Sequence, residues 1–255
     1  MPKLRLDRIL SETGIVSRRE SAGLIRTGAV TVNGVPVRMP AEKFDPETAT
    51  IAVNGRPVTY ARFHYVMLNK SAGVISATED AADKTVLDLL GPEYSVFHLF
   101  PAGRLDKDAE GLMLLTDDGD YAHRVMAPKK KVDKLYYVRT EVPLQPGDCD
   151  RFAAGITLAD GTQCLPGTLI LLAQREALVR IHEGKYHQVK RMLAALGKPV
   201  TYLKRLCIGG LLLDPALAPG QYRPMTETEA RSVFAISLDS RLDALLGEGK
   251  YGHYV

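Results

Sequence analysis

The chain has 255 residues, 45% hydrophobic, 25% charged and 7% aromatic, with no tryptophan and a net charge of +3. This is globular composition, which excludes a disordered or collagen-like chain, and no stretch reaches the roughly 18 apolar residues of a membrane span. The charged start MPKLRLDRIL is no signal peptide, and Cys149, Cys164 and Cys207 lie too far apart for a disulfide scaffold or zinc finger, as in a cytoplasmic protein with reduced thiols.

All the net charge falls in residues 1–60, which hold nine Lys/Arg against six Asp/Glu. In that segment Leu6, Ile9 and Leu10 repeat at helical spacing and Gly14 follows as a stop. Ser17 with Glu20 is a capping-box pattern that starts a second helix, ended by Gly28. Two Asn-Gly pairs, Asn33-Gly34 and Asn54-Gly55, sit between short β-branched runs and predict hairpins. The reading is a unit of two helices and a small sheet, with Arg5 and Arg8 on one face of the first helix and Arg18, Arg19 and Arg26 on the second.

From residue 61 onward buried-strand runs dominate: Tyr65–Leu68, Leu112–Leu115, Leu169–Leu172 and Leu178–Ile181. Val189, Met192, Leu193 and Leu196 predict a helix closed by Gly197. Strands do not alternate regularly with helices, so the expected class is α+β with a mixed or largely antiparallel sheet. The expected division is 1–60, 61–235 and a loosely ordered tail over 236–255. His123–Arg139 adds a second basic concentration, Arg124, Lys129, Lys130, Lys131, Lys134 and Arg139 against Asp133, and basic patches on a near-neutral body point to a polyanionic partner.

No nucleotide-cofactor cradle, nucleophile elbow or HExxH motif occurs. Chemistry concentrates in two stretches. Gly103-Arg104-Leu105-Asp106-Lys107-Asp108-Ala109-Glu110-Gly111 offers three alternating carboxylates, open to reading as a polar loop, a Mg²⁺ site or an acid–base or nucleophilic carboxylate. Glu183-Gly184-Lys185-Tyr186-His187-Gln188-Val189-Lys190-Arg191-Met192 crowds cations at a helix start, where the dipole disfavours them. On the strand Asp133–Val138, Lys134 and Tyr136 share a face.

Together these stretches, in order and spacing, resemble the RsuA branch of the RsuA/RluA pseudouridine synthases, and residues 1–60 resemble the RNA-binding domain of the S4 type. The resemblance spans roughly residues 4–235 and includes Arg205-Leu206-Cys207-Ile208-Gly209-Gly210 and Gly220-Gln221-Tyr222-Arg223-Pro224. Ala109 and Ser71 depart from the usual Thr and Pro of relatives, and neither position supplies chemistry.

The resemblance implies conversion of a uridine to pseudouridine, with no cofactor and no metal: a carbon–nitrogen glycosidic bond breaks, the base turns, and a carbon–carbon bond forms. It places the essential carboxylate at Asp106, its basic partner at Lys190 and a base-stacking tyrosine at Tyr136. Arg104, Lys134, His187, Gln188 and Arg191 are expected to bind substrate. Arg5, Arg8, Arg18, Arg19, Arg26, Lys129, Lys130 and Lys131 are expected to contact phosphates. The Tyr186–Arg191 stretch is most similar to enzymes of small-subunit (16S) rRNA, so the expected partner is 16S rRNA in an assembling subunit, bound by a monomer. The alternatives are 23S rRNA and a non-catalytic RNA-binding protein of ribosome assembly.

Overall fold

The structure is a computed structural model, and it describes residues 3–247 and 252 apart from 15 and 128–131. Contacts divide the chain into two compact units: residues up to His64 with Leu90–His98, and Tyr65–Leu89 with the chain from Leu99 on.

In the first unit β1 (Leu4–Arg5) leads into α1 (Leu6–Glu12), α2 (Arg18–Thr27), β2 (Val30–Val32), β3 (Val35–Pro36), β4 (Lys43–Phe44), β5 (Ile51–Val53) and β6 (Arg56–Val58). The capping box is present: the Ser17 side chain accepts from the Glu20 backbone and Glu20 accepts from the Ser17 backbone. Gly28 ends α2 in the left-handed conformation. Asn33 and Asn54 carry φ of 51° and 49° and the glycines after them 81° and 76°, the two positive dihedrals that a tight primed hairpin requires. The result is a four-stranded antiparallel sheet in the order β3-β2-β5-β6. Leu6, Ile9, Leu10, Ile25, Val30, Val32 and Ile51 form its core, on the spacing that the sequence shows. One expectation is corrected: Arg5 is the extended N-cap of α1 and lies in β1, so it does not share a helical face with Arg8.

The second unit opens with β7 (Tyr65–Lys70), β8 (Phe100–Pro101) and β9 (Glu110–Thr116), then α3 (Gly119–Met126), β10 (Lys134–Thr140) and α4 (Pro146–Ala154). After β11 (Ile156–Thr157) and β12 (Gln163–Cys164) come β13 (Thr168–Ala173), β14 (Glu176–Ile181), α5 (Gln188–Ala195), β15 (Val200–Ile208), β16 (Leu211–Leu212), β17 (Tyr222–Pro224), α6 (Glu227–Ala235) and α7 (Leu238–Gly247). The large sheet runs β13-β14-β10-β15-β9-β7-β17. Its ladders are antiparallel except β9 against β15, which makes the sheet mixed. One apolar cluster gathers Met67, Leu112, Leu114, Tyr121, Val125 and Val233; another gathers Leu135, Tyr137, Leu178 and Leu206.

The expected loose tail contains α7. Leu238, Leu242 and Leu245 repeat at i, i+4, i+7 and join the second cluster, and Arg180 ties Asp239 to the sheet. Glycine and charge in this stretch masked a three-leucine stripe.

Candidate functional site

The loop before β9 is held by its backbone. Gly103 and Gly111 bound it with φ of 119° and 102°. At Gly111 the demand is also spatial, because a Cβ would stand 2.2 Å from the Arg205 carbonyl oxygen where β15 runs parallel to β9. Between the glycines the Arg205 Nη1 donates to the Arg104 carbonyl at 3.4 Å, and Ser76 Oγ both donates to the Leu105 carbonyl and accepts from the Leu105 N–H, each at 2.9 Å. Lys70 Nζ donates to the carbonyls of Ser71, Lys107 and Ala109 at 3.1, 3.2 and 2.7 Å.

Lys70 and Arg205 are buried and their contacts are to main-chain carbonyls, with a Met113 sulfur at 3.9 Å from Arg205. Burial pushes the Lys70 ammonium down to about 8, against the pull of Asp108, Asp106 and Glu110. A buried cation is stabilised only if its protons are satisfied, and here the satisfied protons are what shape the loop.

Asp106 stands in this loop with its side chain one-fifth exposed, 3.1 Å from Lys190 Nζ and 3.5 Å from His187 Nε2. Lys190 also donates to Asp108 at 2.5 Å. Burial opposes its charge, but the bonds to Asp108 and Asp106 outweigh that and hold Lys190 above its ordinary value; Lys190 in turn lowers Asp108. The cation at the start of α5, awkward for the helix dipole, therefore has two carboxylate partners. Glu110 turns elsewhere and accepts from Tyr202 at 2.7 Å. Among the described residues no group of three or more His, Cys, Asp or Glu is arranged to hold a metal ion.

Lys134 and Tyr136 lie on β10, and Tyr136 pairs across the ladder with Arg205, the residue that reaches the loop. Tyr137 points to the opposite face, into the apolar cluster, so alternation assigns Tyr136 to the Lys134 side. Lys134 donates to the Val125 carbonyl at 3.4 Å, and burial, with Arg205 nearby, pushes it down to about 8.

The remaining expected site residues separate into free and engaged groups. Arg104 is exposed, and its guanidinium has no ion-pair partner among the described residues. Gln188 is 4% exposed, and its amide is occupied inside the loop: Oε1 accepts from Lys185 N at 3.0 Å and Nε2 donates to Glu183 at 3.1 Å. Arg191 pairs with Asp160 at 2.5 Å. In the first unit Arg5 pairs with Asp7 and Arg8 with Glu12, each at 2.6 Å, while Arg19 and Arg26 are exposed with no ion-pair partner among the described residues. Lys129, Lys130, Lys131 and the Arg18 side chain lie outside the described residues.

The site holds two groups to which the sequence reading gave no firm role. Lys70 lies two residues beyond the apolar run Tyr65–Leu68, and Arg205 opens the segment Arg205–Gly210 that carries part of the resemblance. A charge closing an otherwise apolar run was the available signal.

The family profile described as RNA pseudouridylate synthase matches residues 64–195, and the S4 domain profile matches residues 4–48. An uncharacterized RNA pseudouridine synthase of Bacillus subtilis (strain 168), YtzG, is 45% identical over 230 residues, 89% of this chain and 96% of the relative. The ribosomal small subunit pseudouridine synthase A of Vibrio cholerae is 42% identical over 232 residues, covering 91% of this chain and all of the relative. Its namesake from Escherichia coli (strain K12) is also 42% identical, covering 90% of this chain and all of the relative. A crystal structure of a pseudouridylate synthase superimposes with TM-score 0.64 at 35% identity, covering 90% of this chain and 99% of that one. With its carboxylate loop, its mixed sheet and these similarities over nearly full length, the chain belongs to the RNA pseudouridylate synthase family and carries an S4 domain ahead of the synthase fold.

Proposed function

We propose that this protein converts one uridine of small-subunit ribosomal RNA to pseudouridine, with Asp106 as the reacting carboxylate. The observation that carries the assignment is the placement of Asp106: a partly buried carboxylate, 3.1 Å from Lys190, in a loop held rigid by Lys70, Ser76 and Arg205. Full-length similarity to two proteins named for the ribosomal small subunit supports the choice of RNA.

Asp106 either adds to the anomeric carbon of the sugar or removes a sugar proton. Both roles require a precisely oriented carboxylate oxygen, and the ion pair with Lys190 at 3.1 Å holds it in place. The glycosidic C–N bond breaks, the uracil rotates in place, C5 bonds to the anomeric carbon, and the proton lost from C5 is balanced by one gained at the freed N1, so that the product is an isomer of the substrate. The Tyr136 ring stacks on the turned-out uracil, with its hydroxyl toward the departing proton. Arg104, exposed and with no ion-pair partner among the described residues, fills the gap left in the RNA, whose opening costs a few kcal/mol. His187 faces the substrate, Lys134, bonded to the Val125 carbonyl, supports the strand that carries Tyr136, and Gln188 and Arg191 act by holding the loop that carries His187. Arg5, Arg8, Arg18, Arg19, Arg26 and the 129–131 lysines contact phosphates. We place the enzyme in the cytoplasm as a monomer acting on an assembling subunit; among the described residues no helix is long and apolar enough to cross a membrane.

The test is to incubate the protein with unmodified 16S and 23S transcripts, with and without small-subunit proteins, in EDTA, and to map pseudouridine by carbodiimide-dependent reverse-transcription stops. One stop in 16S, lost in Asp106→Asn, is the expected result. A stop in 23S overturns the substrate, and tight binding without a stop on either RNA overturns catalysis.

A further inference from the structure

Tyr186 is 75% exposed, the most exposed of the large hydrophobic side chains among the described residues. An exposed aromatic ring needs no explanation when it floats alone, but this one is held. Its ring lies parallel to the His187 imidazole, with centroids 3.8 Å apart and planes 18° from coincidence. His187 in turn sits 3.5 Å from Asp106. A continuous path of contacts therefore runs from the reacting carboxylate to an aromatic face open to solvent.

The backbone is arranged to produce this. His187 has φ 47° and ψ 35°, a left-handed conformation that a side-chain-bearing residue adopts at a cost of roughly 1 kcal/mol or more. As the N-cap of α5 it accepts the first helical bond through its carbonyl, from the Arg191 N–H at 2.9 Å, and makes no side-chain cap, so its imidazole is left to stack on Tyr186. Beneath it the loop is braced: Gln188 bridges Lys185 and Glu183, and Arg191 donates to the Tyr186 carbonyl at 3.3 Å while paired with Asp160. The main chain of Tyr186 is thus fixed, its ring is covered on one face by His187, and its hydroxyl has no hydrogen-bond partner among the described residues. Such a group presents a π-face and little else, and the ligand that matches it is another flat ring.

We infer that the Tyr186–His187 stack is a second nucleobase subsite, on whose open face the base of a nucleotide neighbouring the target uridine stacks. This rests on the reading of Asp106 as the reacting carboxylate, since that reading places the target uridine on the far side of His187. Stacking tolerates any base, so the subsite selects for an unpaired neighbour and not for a particular letter. It favours uridines in loops or in incompletely folded RNA over uridines in continuous duplex.

The test compares Tyr186→Phe, Tyr186→Trp, Tyr186→Leu and Tyr186→Ala in the full-length protein. Under single-turnover conditions, the RNA concentration for half-maximal rate rises about 10- to 100-fold in the Leu and Ala variants, with the smaller part of the loss in the saturated rate, while Phe and Trp restore binding. Failure of Phe to restore it means that the hydroxyl and not the ring matters; restoration by Leu means that bulk suffices. Either result overturns the subsite, as does an unchanged half-saturation in Ala. A second arm uses a single-stranded RNA oligonucleotide containing 2-aminopurine, whose fluorescence stacking quenches. Quenching by the wild type and by Tyr186→Phe, but not by Tyr186→Leu, is expected. If wild type forms no pseudouridine on any RNA, the assignment of Asp106 fails, and this arm still decides whether the platform exists; equal quenching by all variants overturns it.

Discussion

Arg8, Arg19 and Arg26 in the N-terminal unit and Lys70, Lys134 and Arg205 in the larger unit are cations in opposite surroundings. The arginines are exposed, and two of them have no ion-pair partner among the described residues. The three in the larger unit are wholly or largely buried, and they spend their protons on main-chain carbonyls: Lys70 on the 107 and 109 carbonyls, Arg205 on the 104 and 112 carbonyls, Lys134 on the 125 carbonyl. In water a charge acts over about a Debye length and is screened by salt. In the interior it is screened far less, and the hydrogen bonds that satisfy it dictate local geometry. The first unit's charge is suited to attracting RNA, the second unit's to fixing where one carboxylate stands.

The largest effect expected from this contrast is at Asp106. Asp106→Asn is nearly isosteric and leaves the loop bonds intact, so single-turnover pseudouridine formation should fall on the order of 10³-fold or more while RNA affinity stays within a few-fold. A parallel loss of affinity would mean that the loop collapsed, and the separation of binding from chemistry would fail.

Next is the partner of Asp106. Lys190→Met should reduce the rate on the order of 10²-fold and Lys190→Arg should recover most of it, because a guanidinium also spans two carboxylates. Asp108→Asn, at a side chain 76% exposed, should cost less than about threefold. Equal losses in Lys190→Met and Asp108→Asn would show that Lys190 acts through Asp108 and not through Asp106.

A smaller effect reads burial directly. Lys134 has a folded-state pKa of about 8 against 10.5 when free, with burial the main cause. Between those values the unfolded chain binds more protons, so this group's contribution raises stability as pH climbs from 8 to 10.5, and its penalty is full below 8. Lys134→Met removes the penalty. Its stability advantage over wild type, measured by urea unfolding, should be greatest at pH 7 and shrink by up to about 3 kcal/mol by pH 10.5. Titrations shared by both proteins cancel in that difference. A difference independent of pH would place the ammonium in solvent and break the contrast between the units.

Most of the fold could be read from the chain because its signals are local. Ser17 with Glu20, the two Asn-Gly pairs and the Leu6/Ile9/Leu10 spacing specify structure within a few residues, and each is where it was expected. The helix over 238–247 escaped because the three leucines of its buried stripe, Leu238, Leu242 and Leu245, are spread among charges, and its anchor, Arg180 to Asp239, spans 59 residues. The site was legible as three motifs but not as an arrangement. Nothing local says that Lys70 crosses 39 residues to reach Ala109, or that Arg205 crosses 101 to reach Arg104. Nor does composition distinguish Gln188, spent inside its loop, from Arg104, which has no ion-pair partner among the described residues.

The smallest effect belongs to the exposed side of the comparison, and it is read as a slope. Each phosphate contact from an arginine releases condensed counterions, lowering log K by about 0.7 to 0.9 per unit of log salt. Arg19→Gln with Arg26→Gln removes two exposed charges that form no ion pair among the described residues, so the fold loses little, on the order of 0.5 kcal/mol or less. Filter binding of small-subunit RNA from 50 to 300 mM salt should show a slope lower by about 1.5 in the double variant, with the saturated rate of pseudouridine formation unaltered. Arg8→Gln should change the slope less, since Glu12 already shares its charge. If the double variant binds with the wild-type slope, the net charge of residues 1–60 is solvated surface, and the attraction of RNA must come from the larger unit.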